Sequence, residues 1–416
     1  MTTDTVAPKP RTFRFSWTDS FLWAARVTAL FVVLWGFVGA IALGVEGNGL
    51  SADAWKQLIV SGLTTGSMYG LIALGYSMVY GVLGFINFAH GEVFMVGAMV
   101  GFFASEALFE IGLWESNFII AIAIVLLIAM FSSTLTAVLI EKIAYRPLRN
   151  SPRLIPLITS IGMSFFIQNA TQLLVGPAVK TYPAPPTWLS DPVNILGFSV
   201  SGTAILVLVM ALVSMTGLWL YVNRSATGRA MRAVAEDKEI AALMGINVNR
   251  VIVTTFAVGG AMAGVAAILW GLLFRGVSFI TGFLPGIKAF TAAVLGGIGN
   301  IVGAMFGGVL LGLFESLGPN VVLRGLSWQI PAALGVVLLV AGVGAIVGGR
   351  TLKRKTLIVL GAAAIMLGIT GLAGWTIEIP GLSQLKDFVA FTALVLVLIF
   401  KPSGLFGEQL SKEDRA

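Results

Sequence analysis

The sequence contains no cysteine and a single histidine, His90. Disulfides and thiolate metal centres are therefore excluded, and one imidazole cannot build a histidine-cluster metal site. Charge is scarce as well: 11% of the 416 residues are Asp, Glu, Lys or Arg, against roughly a quarter in soluble globular domains. No GxxxxGK[ST] phosphate loop, HExxH or GxSxG occurs, which removes P-loop nucleotide binding, zincin chemistry and the serine-hydrolase elbow. Acids within the apolar runs are too few for an obvious proton relay. A transporter built this way is a passive pore, draws on an ion gradient, or is driven by separate subunits.

What the chain does have is apolar sequence: 57% hydrophobic residues and a mean hydropathy of +0.95. At about 20 apolar residues per crossing, this reads as an all-α, polytopic transmembrane bundle of about 11–12 spans with no sizeable soluble domain. The 26 Lys and Arg exceed the 19 Asp and Glu, giving +7. In a membrane protein that surplus reflects cationic loops kept on the cytoplasmic side rather than binding of nucleic acid. The expected divisions are a polar tail and first apolar run over 1–54, the spans with the charged insert over 55–320, two further apolar runs over 321–380, and a last span with tail over 381–416.

Lys9, Arg11 and Arg14 precede an apolar run over 21–45. Ala40-Ile41-Ala42 resembles a signal-peptide cleavage site, but a signal h-region is about 7 to 15 residues, so a retained helix with a cytoplasmic N-terminus is expected. The next span starts near Trp55 and carries Ser61, Thr64 and Thr65 at helical spacing. These either face a hydrophilic path or hydrogen-bond neighbouring helices. Gly84 and Gly91 then flank a short polar cluster with Asn87 and His90, followed directly by Glu92, which reads as a tight connection or a broken helix.

Lys142, Arg146, Arg149 and Arg153 follow a span over 117–140. The next helix, 154–175, places Ser160, Ser164, Gln168 and Gln172 on one face, either as a path lining or as polar ties between helices. The proline-rich stretch 176–196 suits an outer loop. Later segments over 199–222, 251–274, 279–299, 301–317, 328–347, 357–375 and 388–400 complete the count. By parity, the cationic groups at 142–153, 224–250 and 350–355 then fall on the N-terminal side. Two readings stay open for 279–299, with Pro285 and a glycine-rich end: a crossing, or half-helices around a pore. Lys288 in that segment either meets a substrate carboxylate or snorkels to the outer interface. A weak echo, Val96-Gly97-Ala98-Met99 with Gly101 against Val302-Gly303-Ala304-Met305 with Gly307, suggests an internal repeat.

Between two spans lies the charged insert 224–250. It reads as two short helices, with Asp237 as N-cap of the second and Gly245 as its stop. Its apolar patch, Met231 with Val234 and Ile240 with Met244, either lies on lipid headgroups or fills a groove on a partner.

Five stretches then carry a family resemblance: GLTTGSMYGLIALGYSMVYGVLGFINFAHGEVFMVGA, IEKIAYRPLRNSPRLIPLITSIGMSFFIQN, GRAMRAVAEDKEIAALMGINVNRVI, GIKAFTAAVLGGIGNIVGAMFGG and LVLIFKPSGLFG. The chain resembles the LivH-type permease subunit of bacterial ABC importers for branched-chain amino acids. The resemblance implies a multi-pass inner-membrane protein with both termini cytoplasmic. Its implied partners are a second permease chain, two cytoplasmic ATPases that use ATP and Mg, and a periplasmic substrate-binding protein. It also implies no covalent catalysis in this chain, no metal and no directly bound cofactor. Gly228, Arg229, Arg232, Glu236, Asp237, Ala241 and Gly245 fall on the ATPase-coupling loop, where Ala241 permits close approach of the partner. Ser61, Thr64, Thr65, Asn87, His90, Ser160, Ser164 and Gln168 are candidates for the translocation path. The run 21–45 and the region 328–375 depart from the family pattern. Urea, short amides or another small solute remain alternative cargoes, and a stand-alone ion-coupled transporter is the alternative of a different class.

Overall fold

The computed structural model describes residues 17–149, 151–152, 154–195, 197–351, 355–376 and 382–407. Lys9, Arg11, Arg14, Arg153, Lys353 and Arg354 of the sequence reading lie outside them. Sixteen helices follow in order: α1 Trp17–Val45, α2 Ala52–Leu83, α3 His90–Glu110, α4 Leu113–Ser116, α5 Phe118–Ile140, α6 Leu154–Val175, α7 Thr187–Ser190, α8 Gly202–Arg224, α9 Ala226–Glu236, α10 Lys238–Leu243, α11 Val248–Phe274, α12 Phe283–Gly296, α13 Ile301–Leu317, α14 Ala332–Thr351, α15 Lys355–Ala373 and α16 Lys386–Phe400. Four short strands, β1 Lys180–Thr181, β2 Pro192–Ile195, β3 Phe198–Ser201 and β4 Gly276–Val277, pair as β1 with β4 and β2 with β3, both antiparallel.

Among the described residues, nine helices are long and apolar enough to cross a membrane. Phe283–Gly296, Leu357–Ala373 and α16 are apolar but shorter. The protein is an all-α, multi-pass membrane bundle. The 14 residues of α12 give about 21 Å of helix, short of an approximately 30 Å hydrocarbon core. Even so, α12 runs the same way as a crossing helix, antiparallel to α13, with Ala292 against Gly307 and Gly296 against Gly303. The non-helical segment 276–282 supplies the rest of its path, so the two sequence readings of 279–299 each describe part of what is there.

The chain divides into two units. The first comprises residues 17–49 and 321–376, with α1, α14 and α15. Its core holds Trp35, Leu326, Trp328 and Ile330, with Trp35 Nε1 donating to Trp328 O at 3.1 Å. Here α14 and α15 approach through facing glycines, Gly342 against Gly361 and Gly335 against Gly368.

The second unit holds residues 50–320 and the last segment from 382. Two ends can be told apart along α2. Near Leu83, Lys238 Nζ donates to Leu83 O, Gly299 N donates to Ser77 Oγ, and Phe406 N donates to Gly296 O. Near Ala52, Ser316 Oγ donates to Leu58 O and Lys56 Nζ to Gly197 O. Lys142, Arg146, Arg149, Arg224, Arg229, Arg232 and Arg250 belong to segments at the Leu83 end.

Helices α2, α3, α5 and α6 correspond, turned over, to α11, α12, α13 and α16. Gly62, Gly66 and Gly70 of α2 pack on α13, as Gly260 and Gly264 of α11 pack on α5. The two central helices touch at Gly75 and Gly259, and α3 meets α12 where Gly91 faces Gly282 and Gly286. Small residues allow these backbone contacts, which is how helices associate where lipid removes the hydrophobic incentive. The correspondence corrects the sequence echo. Its two copies lie on α3 and α13, which both run away from the Leu83 end and so are not equivalents under an inverted relation.

Candidate functional site

At the Leu83 end, α9 and α10 form a compact knob. Ser225 caps α9 by accepting from Gly228 N at 2.9 Å, and Asp237 caps α10 by accepting from Glu239 N at 2.8 Å and Ile240 N at 2.9 Å. Gly245 sits at φ +84°, the left-handed turn expected of a helix stop. Met231, Val234 and Ala241 are buried in the core of the unit. Arg232 donates to Val222 O and Asn223 Oδ1, and Arg229 to Arg224 O, tying the knob to α8. A Cβ on Gly228 would lie 2.2 Å from Val222 O, so that glycine seats α9 on α8.

Ala241 departs from the sequence reading. It is 3% exposed and faces its own bundle, so it does not present itself to a partner. The outward apolar residues are Ile240, Leu243 and Met244, at 59%, 86% and 78% exposure. Glu236 and Asp237 are also exposed. Removing the cap by Asp237→Ala is expected to weaken α10 by about 1 kcal/mol; faster hydrogen exchange confined to the α10 amides checks it.

The path candidates fall into two groups. Ser61, Thr64 and Thr65 line a cavity of about 470 Å³ with Ser199, Ser201 and Phe274, at the Ala52 end. Thr64 Oγ1 is already donated to Val60 O at 2.7 Å. The other five gather at the break between α2 and α3. Asn87 Oδ1 accepts from Ala89 N at 3.1 Å and from Tyr145 OH at 2.5 Å, satisfying open backbone as a structural tie. Ser160 Oγ accepts from Phe88 N at 3.3 Å and donates to Leu157 O at 2.6 Å. His90 packs edge-on against Tyr76, ring centroids 4.9 Å apart, and fills the place of a side chain at Gly75.

Ser164 and Gln168 converge on Glu92 Oε1, donating at 3.2 Å and 2.6 Å. The i, i+4 stripe on α6 thus faces an acid on α3, a pairing that no local spacing specifies.

Lys288 is corrected more sharply. It is 5% exposed and neither open to cargo nor snorkelled. Its Nζ lies 2.9 Å from Glu315 Oε1, 2.6 Å from Asp387 Oδ1 and 3.3 Å from Tyr69 OH. The lysine therefore joins α12, α13, α16 and α2. Glu141, at the start of the π-helical turn Glu141–Tyr145, is likewise buried and paired with Arg149. Outside the spans, burial raises the Tyr182 phenol above its usual pKa, and its hydroxyl donates to Ala98 O at 2.5 Å.

Residues 58–340 match the family described as branched-chain amino acid transport system / permease component. The chain belongs to that family. This permease is 46% identical over 288 residues to the high-affinity branched-chain amino acid transport system permease protein BraD of Pseudomonas aeruginosa, an alignment covering 69% of this chain and 92% of BraD. It is 44% identical over 263 residues to LivH of Escherichia coli, covering 63% and 85% respectively. With the probable branched-chain amino acid transport permease protein LivH of Methanocaldococcus jannaschii it shares 27% over 301 residues, covering 70% and 88%. It is the permease component of a transport system.

Proposed function

We propose that this permease is the membrane-spanning part of an ATP-driven importer for branched-chain or related hydrophobic amino acids. The observation that carries the mechanism is the knob. Its inner face is anchored by Met231, Val234 and Ala241, while Ile240, Leu243 and Met244 stand free of the bundle at its cationic end. A short amphipathic element held at both ends and showing apolar side chains is suited to a groove on another protein.

Cationic segments stay on the cytoplasmic side, which supports a cytoplasmic knob and a cytoplasmic 401–407 segment in the bacterial inner membrane. The implied assembly has a second permease chain, two ATPases that bind ATP and Mg, and a periplasmic binding protein that delivers cargo near the cavity at the Ala52 end. Closure of the ATPases on the knob would move the bundle as a rigid body between inward-open and outward-open states. The two-half architecture, with equivalent helices running in opposite senses, suits alternating access of that kind.

The knob is tested by Leu243→Asp with Met244→Asp in the full importer. Recovery of the ATPase subunits with the permease is expected to fall at least tenfold, and leucine uptake with it, while the permease keeps its melting temperature. ATPase recovery equal to that of the parent protein rejects the docking assignment.

A further inference from the structure

Three carboxylates are buried among the described residues: Glu92, Glu141 and Glu315. Glu141 has Arg149 and Glu315 has Lys288. Glu92 is 1% exposed and has no cation in ion-pair range among the described residues. Its Oε1 takes the hydrogen bonds from Gln168 and Ser164, and its Oε2 takes none.

Position adds to this. Glu92 lies in the first turn of α3, where free N–H groups favour negative charge. A buried charge without a counter-ion still costs several kcal/mol. If the group served only to link α3 to α6, a neutral glutamine would accept the same two hydrogen bonds. The burial of the carboxylate is relieved by a proton or by a cation, and a cation within reach of Oε2 would hold the charged form.

The unused oxygen faces a tight wall of glycine backbone. A Cβ on Gly282 would come 2.7 Å from Glu92 Oε2, and one on Gly286 would come 2.9 Å from Gly91 Cα. The Tyr76 hydroxyl borders the same wall, 3.4 Å from that Gly286 position. Helix α6, which supplies both present donors, packs chiefly on α3 and on the turn Glu141–Tyr145, and Phe165, Phe166, Leu173 and Leu174 on its other face are exposed. It is the element whose displacement uncovers Glu92 with the least disruption of the core.

We propose that Glu92 is a binding site for a primary ammonium group, the α-ammonium of the cargo, which forms an ion pair with the carboxylate as α6 withdraws Ser164 and Gln168. The cargo assignment rests on the amino-acid reading above; the ammonium chemistry does not.

The test uses the permease complex in phosphatidylcholine nanodiscs, with 3-methylbutylamine and 3-methylbutanol as probes matched in shape and differing in charge. The amine is expected to raise the melting temperature of the parent protein and the alcohol to leave it unchanged. E92Q is expected to melt no lower than the parent, to lose the amine response, and in the reconstituted importer to lower leucine uptake at least tenfold; E92D is expected to retain part of both. Equal responses to amine and alcohol in the parent protein overturn the proposal. So does E92Q with full uptake, or E92Q unfolded with E92D showing no amine response. Loss of the amine response on adding phosphatidylethanolamine assigns the site to a lipid headgroup and overturns its transport role. A parent importer that binds the amine but takes up no leucine refutes the cargo reading and leaves the ammonium site standing.

Discussion

Gly308→Leu is expected to abolish recovery of folded permease, and Gly217→Leu to leave it intact. The reason is geometric: a Cβ on Gly308 would sit 2.3 Å from both Cα and N of Gly70 and 2.9 Å from Gly66 O. Gly312 is placed the same way against Gly66. The obstructing atoms are backbone, so no rotamer change relieves them, and α2 and α13 must separate along the contact. Overpacking a tight interior costs about 1–3 kcal/mol even where side chains can adjust; here the cost is expected to exceed about 3 kcal/mol because they cannot. Gly217 has no heavy atom within 4 Å of its Cβ position, which makes it the matched control on α8. Thermal melting and size exclusion in detergent check the pair. A Gly308→Leu protein that elutes as a single species within about 2 °C of the parent would remove the claim that backbone contact holds this interface.

That interface shows how legibility divides. Fifty glycines in an apolar chain already point to close helix packing, and Gly62, Gly66 and Gly70 at four-residue steps mark one face of α2. Which helix meets that face is not written locally. The same division runs through the candidate site. Asp237 and Gly245 were readable because caps and stops act within a few residues of themselves. Ala241 was misread because a coupling motif says where the chain turns, not which side of a six-residue helix the rest of the bundle will cover. The stripe holding Ser164 and Gln168 was visible as a helical period, yet Glu92, the acid these two bond, lies more than 70 positions away in sequence. The echo between α3 and α13 failed for a related reason. Small and apolar residues recur by chance in such a composition, whereas the turned-over correspondence of α2, α3, α5 and α6 with α11, α12, α13 and α16 rests on which helices touch.

Lys288 provides the second large effect, because its charge is balanced only by residues on other helices. Lys288→Met is expected to destabilise the permease by about 3–5 kcal/mol, the range for removing one member of a buried ion pair and stranding the other. Glu315, 9% exposed, and the buried Oδ1 of Asp387 are the groups left stranded. Lys386 Nζ stands 3.9 Å from Glu315 Oε1 and is 55% exposed, so it offers partial compensation at best. Replacing both partners, as Lys288→Met with Glu315→Leu, removes the Glu315 charge, and buried pairs exchanged for apolar groups are often neutral. The double variant is therefore expected to recover part of the loss, because Asp387, 37% exposed as a side chain, still has its Oδ1 buried. Melting of the detergent-solubilised protein measures all three. If Lys288→Met costs less than about 1 kcal/mol, the group behaves as a solvated pair and the buried assignment is wrong. If the double variant is no better than the single one, the lysine matters for its packing stem rather than its charge. The expected order, with the double variant above the single, follows from one comparison: in water an unpaired carboxylate is cheap, and between α12, α13 and α16 it is not.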